Sequence, residues 1–385
     1  MPLRRKFGLV AFVTLVTVLL MELALSVFIL DEGRLGDRPL PPFGALPHPR
    51  QQAWLEEMRD DIETDVERQG AGVFDSELGW TNTPYAPESK GVLCISSMGA
   101  RGRREYASAI PVGVTRILTF GDSFTYCAEV SDTESWQHQL EARQPDWEVP
   151  NFGVGGYGQD QALLRMRRIL PRIEGNIILM GINVENIARN VNRFRPLYHP
   201  RTAAAAAKPR FILADDELEL LPSPYESRAD LVSALDDGSL LANIREHEYW
   251  FEPERLTSKL ALARLFHGWQ AYARRQPDVL WAASEEEPFR VTLALLEAFK
   301  DEALAAGASE AIVVISQRET DLSAARFWQP LCDELDARKI EWIDLSTVLG
   351  PAYQKGEALF QGGHLSGRGN ELTAIAIEAF LLERL

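Results

Sequence analysis

Residues 116–124, RILTFGDSF, decide how this 385-residue chain folds. A short apolar run, Arg116–Phe120, ends at Gly121-Asp122-Ser123, which predicts a buried strand that leads into a tight turn. In an open α/β sheet, ligands bind at the carboxyl ends of the strands. We therefore expect Ser123 to lie at the ligand-binding edge of a sheet.

Further strands are expected downstream, with helices between them. The predicted strands are Glu148–Phe152, Asn176–Met180, Glu310–Ser316 and Glu341–Leu345. Ser131–Glu134 has the pattern of a capping box, Asp160–Leu170 has helical spacing, and Ser366 precedes the last helix. Strands that alternate with helices predict a parallel sheet covered on both faces. The fold class expected for residues 75–385 is therefore α/β, a three-layer, flavodoxin-like domain.

A long insertion separates the third and fourth predicted strands. Residues 195–305 are too many for a simple connection. The insertion includes the alanine run at 203–207, which predicts a flexible or weakly helical link, and 211–221 predicts a hairpin with Ala214-Asp215-Asp216 at its turn. The remainder is helical in pattern and rich in aromatic residues. These residues either pack the insertion onto the core or form a substrate platform or lid.

The N-terminus predicts a membrane anchor. Three basic residues, Arg4–Lys6, precede the apolar stretch Phe7–Leu30. As a helix this stretch reaches about 36 Å, which is enough to cross a bilayer. The basic residues keep residues 1–6 in the cytoplasm and the rest of the chain outside. We expect a single-pass inner-membrane protein whose catalytic domain is periplasmic or extracellular.

Two features of this N-terminal region leave alternatives open. The apolar stretch lacks a clean small-x-small cleavage site, but a cleaved signal peptide and a soluble chain remain alternatives to an anchor. Glu22 lies inside the stretch, where a charge is costly, so it is protonated, paired with another helix, or near a shallow outer end. Residues 31–74 are expected to form a linker, Pro-rich over 37–50, and a surface segment with a helix over 51–69.

Composition and charge exclude several function classes. The formal net charge of −16 argues against nucleic-acid binding, which normally shows as a basic surface. Three cysteines are too few for a disulfide scaffold; Cys94 and Cys127 either pair in an oxidising compartment or, with Cys332, remain buried thiols. The sequence contains no zinc-type cluster, P-loop or dinucleotide fingerprint, so no cofactor or metal is expected.

Three more segments are expected at the sheet edge that carries Ser123. The loop Asn151–Gly158, NFGVGGYG, follows the second strand, and its glycine amides are natural oxyanion donors. Gly181-Ile182-Asn183 follows the third strand, and GGHLS places His364 just before the last helix. Each segment is a weak signal alone. Together they predict one site, because the carboxyl ends of parallel strands meet at one edge.

The order of these motifs resembles the SGNH/GDSL hydrolase superfamily, and with the N-terminal stretch its membrane-anchored bacterial type. The motifs are Gly-Asp-Ser, then Asn-x-Gly-x-x-Gly, then Gly-x-Asn, then a histidine before the C-terminal helix. The resemblance covers about Gly79 to Leu385, with the insertion as an elaboration. Upstream, Gly99–Gly102 is similar to a segment that often precedes the first strand in anchored members. The resemblance implies the SGNH hydrolase fold and serine-based ester chemistry.

Carried over residue by residue, the resemblance implies a role for each motif. Ser123 would be the nucleophile and its amide an oxyanion donor, and His364 would be the general base. Gly156 matches the backbone oxyanion donor. Asn183 matches the side-chain donor, and Asn186 is a competing candidate for that role.

The sequence departs from the family at the catalytic acid. The family usually has Asp three residues before the histidine, where this chain has Gln361. His364 would then work as a Ser–His dyad, be oriented by a backbone carbonyl or by Gln361 itself, or borrow Glu357 or another acid. A complete Ser-His-Asp triad at the usual positions is therefore not expected.

The resemblance and the predicted location together imply an esterase that works through an acyl-Ser123 intermediate. Its substrate would be an acylated small molecule or an acylated extracellular polysaccharide. One alternative is an O-acyltransferase that passes the acyl group from the same serine to a sugar hydroxyl. Another is a catalytically quiet polysaccharide-binding or assembly protein, which the substitution at Gln361 favours.

Overall fold

The structure of the protein, a computed structural model, describes residues 3–31, 34–35, 38–41, 49–64, 72–84, 94–202 and 206–385. Most of the predicted Pro-rich linker, 37–50, lies outside these ranges. So do residues 203–205, which make up most of the predicted alanine link. The described residues include every segment that the sequence places at the active site.

The secondary structure alternates helices and strands through most of the chain. The α-helices are α1 Leu3–Ala24, α2 Pro49–Glu63, α3 Ser123–Tyr126, α4 Trp136–Arg143, α5 Gln159–Ile169, α6 Arg195–Tyr198, α7 Arg228–Asp236, α8 Leu240–Ile244, α9 Ala261–Ala273, α10 Pro277–Ala282, α11 Glu287–Ala305, α12 Gln329–Ala337, α13 Ser346–Gln354 and α14 Gly367–Leu382. The strands are β1 Leu30–Asp31, β2 Arg34–Leu35, β3 Arg38–Pro39, β4 Val73–Asp75, β5 Gly79–Thr81, β6 Thr115–Phe120, β7 Trp147–Glu148, β8 Ile177–Asn183, β9 Arg210–Ala214, β10 Glu217–Leu221, β11 Glu310–Ser316, β12 Glu341–Asp344, β13 Phe360–Gln361 and β14 His364–Leu365.

The central sheet confirms the predicted fold class. Its five strands run parallel in the order β12-β11-β8-β6-β7. Successive side chains of a strand point to opposite faces, and two hydrophobic cores result. On β8, Met180 packs with residues of α5, α11 and α12, whereas Leu179 packs with residues of α4, α13 and α14. The domain therefore has three layers.

Two strand boundaries differ from the predictions for local reasons. The strand predicted over Glu148–Phe152 ends at Glu148, because Pro150 has no N–H to donate to a ladder; pairing resumes as a single bridge between Thr119 and Asn151. The third strand continues through Gly181 to Asn183, beyond the predicted end at Met180. The glycine therefore does not end this strand.

The insertion contains the predicted hairpin and is anchored by aromatic residues. β9 and β10 pair antiparallel around Asp215-Asp216, both with positive φ, as a two-residue hairpin turn requires. Trp250 and Trp281 are fully buried, and their indole N–H groups donate to the carbonyls of Ala188 and Val184 at 2.9 and 2.7 Å. These two indoles pack the insertion onto the segment that follows β8.

The N-terminal helix is long and apolar enough to span a membrane or to act as a signal sequence. Lys6–Val27 covers 22 residues with a mean hydropathy of 2.4, and its side chains are not buried in the protein. Of the alternatives for Glu22, the structure shows pairing with another helix. Its carboxylate accepts hydrogen bonds from the first backbone N–H groups of α9.

Cys94 and Cys127 do not form the disulfide that the sequence left open as one alternative. Cys127 is a buried free thiol in the loop after α3, and Cys332 is a buried free thiol in α12. Burial raises the pKa of the Cys127 thiol to about 11. Both side chains therefore behave as small core residues.

Candidate active site

Ser123 begins the short helix α3, three residues after β6 of the five-stranded sheet ends at Phe120. Asp122 caps this helix, because its carboxylate accepts a hydrogen bond from the Phe124 N–H at 2.9 Å. The Ser123 hydroxyl lies 2.9 Å from Nε2 of His364. A turn at the strand's end thus places a serine hydroxyl within hydrogen-bonding distance of an imidazole.

Glycines allow α3 to sit this close to the sheet. Gly121 has a φ of +153°, and a Cβ there would lie 2.2 Å from Oγ1 of Thr125. A Cβ at Gly181 of β8 would lie 2.1 Å from the same oxygen. In the loop after β7, a Cβ at Gly153 would lie 2.5 Å from the Tyr126 amide nitrogen. Side chains at these glycines would displace the helix that carries the serine.

His364 is held by a tight hairpin before the last helix. β13 and β14 pair antiparallel, with Gln361 opposite His364. The two turn residues, Gly362 and Gly363, have φ of +58° and +92°, which glycine adopts readily. The imidazole packs against the ring of Phe124, with 5.2 Å between the centroids. The hairpin therefore fixes the ring beside α3.

The carboxylate on the other side of the imidazole belongs to Glu129, which the sequence analysis did not identify. Its Oε1 lies 3.5 Å from Nδ1 of His364. A Cβ at Gly362 would lie 2.7 Å from the Glu129 carboxyl carbon, and the side-chain amide of Gln361 donates to the Glu129 carbonyl oxygen. The hairpin that carries the histidine therefore also holds Glu129.

The two residues predicted to orient His364 have other partners. The Gln361 amide is directed at the backbone of Glu129, as described above. The Glu357 carboxylate accepts a hydrogen bond from Nε of Arg368 at 2.8 Å. The sequence does contain one signal for Glu129, since it is the single carboxylate between α3 and the capping box that begins at Ser131. That signal is too weak to use without the fold.

Arg101 holds the loop that carries this carboxylate. Its guanidinium is buried and donates to the carbonyl oxygens of Tyr126, Cys127 and Val130. Its Nε also donates to the Asp132 carboxylate at 2.9 Å. One planar cation therefore satisfies the backbone on both sides of the carboxylate-bearing position. Arg101 belongs to the segment Gly99–Gly102, which precedes β6 in the chain. Its contacts explain physically how this segment supports the loop that carries Glu129.

Two backbone amides are available as oxyanion donors. Within the described residues, the N–H groups of Ser123 and Gly156 have no intramolecular acceptor. Gly156 has a φ of +82°, and its carbonyl oxygen accepts a hydrogen bond from Nη1 of Arg195 at 3.0 Å. The insertion thereby holds the glycine loop through its first helix, α6.

The two asparagine candidates lie in different surroundings. The Asn183 side-chain amide donates to the Ser316 hydroxyl on the neighbouring strand at 3.2 Å. The Asn186 amide donates to the Asp122 carboxylate at 2.9 Å, one residue before Ser123. The structure therefore brings the competing candidate, Asn186, next to the turn that carries Ser123. Asn183 instead connects two strands of the sheet.

Charged groups near the Gly121–Ser123 turn have shifted pKa values. Burial raises the pKa of the Asp122 carboxyl, although Arg189 and the Asn186 hydrogen bond oppose the shift. Burial would also raise the pKa of Glu185, but Arg189 and Arg318 outweigh it and lower that pKa. The loop after β8 therefore contains a partly buried ion network. Among the described residues, no cluster of His, Cys, Asp or Glu is able to hold a metal ion.

The structure is similar to solved structures of GDSL-family proteins and esterases. No protein-family model matches the chain, and no curated protein matches it. A lipolytic G-D-S-L family protein from Veillonella parvula is 14% identical, with a TM-score of 0.37; the match covers 71% of this chain and 100% of that one. The esterase EstA from Pseudoalteromonas sp. is 12% identical with a TM-score of 0.35, over 70% of this chain and 99% of that one. An acetyl xylan esterase is 11% identical with a TM-score of 0.34, and the match covers 69% of this chain and 99% of that one.

Similarity at this level carries no argument about activity. The chemistry is therefore inferred from the contacts of Ser123, His364 and Glu129.

Proposed function

We propose that the chain is a serine esterase of the SGNH/GDSL type, with Ser123 as nucleophile and His364 as general base. The observation that carries this proposal is the 2.9 Å contact between Ser123 Oγ and His364 Nε2. The hydroxyl oxygen attacks the ester carbonyl while Nε2 takes its proton. The tetrahedral intermediate then expels the alcohol, which receives that proton, and leaves an acyl-Ser123 ester. Water, activated by the same imidazole, releases the acid and restores the serine.

The oxyanion of each tetrahedral intermediate needs hydrogen-bond donors. We assign the N–H groups of Ser123 and Gly156, whose lack of an intramolecular acceptor within the described residues supports this role. For the side-chain donor we favour Asn186 over Asn183, because its amide lies beside Asp122 rather than between two strands. One such donor typically contributes a factor of about 10²–10³ in kcat.

Glu129 is the proposed catalytic acid. A carboxylate near Nδ1 stabilises the imidazolium that forms when Nε2 takes the serine proton. The distance of 3.5 Å is longer than a well-formed N–H···O bond, and such contacts often tighten only when substrate binds. The side chain is 42% exposed, so it has room to move toward the ring.

We place the reaction outside the cytoplasm and propose an acylated polysaccharide as the substrate. The apolar N-terminal helix, with basic residues before it, supports export of the domain. The His364 side chain is 24% exposed, so one of the two reacting groups reaches the protein surface, where an acyl group carried on a large molecule can approach it.

The proposal is tested on the full chain in detergent. It should hydrolyse a short-chain nitrophenyl ester and be labelled by a fluorophosphonate. Ser123→Ala should abolish both, whereas Ser323→Ala, at an exposed serine, should change neither. Equal labelling and turnover in wild type and Ser123→Ala would overturn the proposal. Product analysis in the presence of a sugar acceptor separates hydrolysis, which gives the free acid, from O-acyl transfer, which gives the acylated sugar. Transfer without hydrolysis would show that the sugar hydroxyl, not water, is the second substrate.

A further inference from the structure

We propose that α9, Ala261–Ala273, lies in the headgroup region of the membrane and docks the catalytic domain onto the lipid bilayer. This role goes beyond ester hydrolysis and does not depend on it. It rests on the proposed insertion of the N-terminal helix in the same membrane. Three observations support it: the exposed apolar surface of α9 and the segment before it, the contact with α1, and the packing of its other face.

The apolar surface begins before the helix and continues along it. Leu256 and Leu260 are 91% and 51% exposed, and Phe266 and Trp269 on α9 are 54% and 68% exposed. The last two lie three residues apart, on one face, with their ring centroids 6.1 Å from each other. Exposed tryptophan and phenylalanine beside leucine are typical of helices that lie in a membrane interface.

The start of α9 is attached to the N-terminal helix by hydrogen bonds. The Glu22 carboxylate accepts from the Ala261 and Leu262 N–H groups at 2.6 and 3.0 Å. The first N–H groups of a helix have no partner within it, and its N-terminus carries a partial positive charge. Glu22 thus satisfies the helix terminus, and the terminus in turn stabilises a carboxylate in an apolar segment.

The other face of α9 packs against the segment that follows the N-terminal helix. Ala261, Gly268 and Ala271 are buried. A Cβ at Gly268 would lie 2.6 Å from Cδ2 of Leu40, so the Leu40 side chain packs closely against the backbone of α9. The helix therefore has one face closed against the protein and one face open. Because α9 is attached to α1, and α1 is proposed to lie in the membrane, the apolar surroundings next to the open face of α9 are the lipid bilayer.

Exposed charged residues lie beside the apolar surface. Arg255 and Lys259 are exposed beside this surface and suit anionic lipid headgroups, although Glu254 is exposed there too.

The test uses the full chain reconstituted in phosphatidylcholine and phosphatidylglycerol vesicles. Trp269→Cys, in a Cys94→Ser background, is labelled with a nitrobenzoxadiazole fluorophore; Cys127 and Cys332 are buried. Lipids that carry a nitroxide close to the headgroup should remove most of the emission, and lipids with the nitroxide at the chain end should remove less. The matched control is Val112→Cys, a fully exposed apolar position in the turn before β6, where the emission should stay unquenched.

Two results would overturn the proposal although the protein floats with the vesicles. If the fluorophore at position 269 emits at the wavelength typical of water and is not quenched by either nitroxide lipid, α9 lies in water. Blue-shifted but unquenched emission would show that protein, such as a second copy of the chain, covers the helix. Protein that does not float would remove the membrane premise as well. Hydrolysis of a soluble nitrophenyl ester by the same labelled protein reports the proposed function separately.

A second pair of variants tests the attachment. Glu22→Leu removes the acceptors that cap α9 and should lower the quenching at position 269, whereas Glu22→Gln keeps one acceptor oxygen and should retain most of it. Equal quenching in both variants would exclude Glu22 as the attachment point.

Discussion

The carboxylate of Glu129 lies 3.5 Å from Nδ1 of His364, although the two residues are far apart in the chain. The family resemblance places an acid at position 361, inside the hairpin that carries the histidine. Here Gln361 donates a hydrogen bond to the backbone carbonyl of Glu129 instead, and a Cβ at Gly362 would collide with the Glu129 carboxyl group. An acid opposite the hairpin thus lies beside the imidazole of His364.

Glu129→Gln should lower kcat about a hundredfold or more, because a neutral amide does not stabilise the imidazolium. KM and the unfolding midpoint should change little, since the side chain is partly exposed. Steady-state kinetics on a soluble ester measure the effect, with Glu129→Asp as a partial rescue. Glu357→Gln is the matched control and should stay within about twofold of wild type, because Glu357 pairs with Arg368. A larger loss in the control than in Glu129→Gln would contradict the assignment.

Arg101→Lys should reduce both stability and kcat. Lysine is a point charge and does not reproduce the planar fork that binds three carbonyl oxygens and Asp132. The expected loss in the free energy of unfolding is about 3 kcal/mol, as for other disrupted buried charge networks. Urea unfolding and ester kinetics measure the two effects. Arg104→Lys is the control, because Arg104 is half-exposed on Glu141 and Glu148; an equal loss there would argue against a special role for Arg101.

Asn186→Ala and Asn183→Ala should separate the two donor candidates. Asn186→Ala should lower kcat by a factor of about 10²–10³, because it removes the proposed oxyanion donor. Asn183→Ala should act mainly on the unfolding midpoint, since its amide bridges to Ser316 within the sheet. Steady-state kinetics on a nitrophenyl ester and thermal unfolding measure the two effects. The reverse pattern would restore Asn183 as the donor.

Glu185→Gln should destabilise the protein near neutral pH and progressively less in acid. Arg189 and Arg318 lower the pKa of Glu185 in the folded protein below its ordinary value of 4.5, against the effect of burial. A depressed folded pKa gives stability that is present above the unfolded pKa and is lost as pH falls through the folded pKa. The difference in unfolding free energy between wild type and variant should therefore start to narrow below about pH 4.5. If the difference in unfolding free energy instead grows as the pH falls, the ion network does not stabilise the ionised form of Glu185.

The sequence by itself determined the features that depend on local physical patterns. An apolar run ending in Gly-Asp-Ser predicts a buried strand and an exposed turn, because burial and glycine conformations act over a few residues. Strands alternating with helices predict the three-layer sheet, and His364 before the last helix follows from the cap at Ser366. The N-terminal helix follows from its length and hydropathy alone.

Only the tertiary structure decided which distant groups meet. Glu129 and His364, Asn186 and Asp122, and Glu22 and α9 are each brought together by packing between segments remote in the chain. No local periodicity encodes such contacts, since a carboxylate in a loop looks the same in sequence whether it faces solvent or an imidazole. The acid beside the histidine and the position of α9 next to α1 are therefore consequences of how the loops and the insertion pack around the sheet.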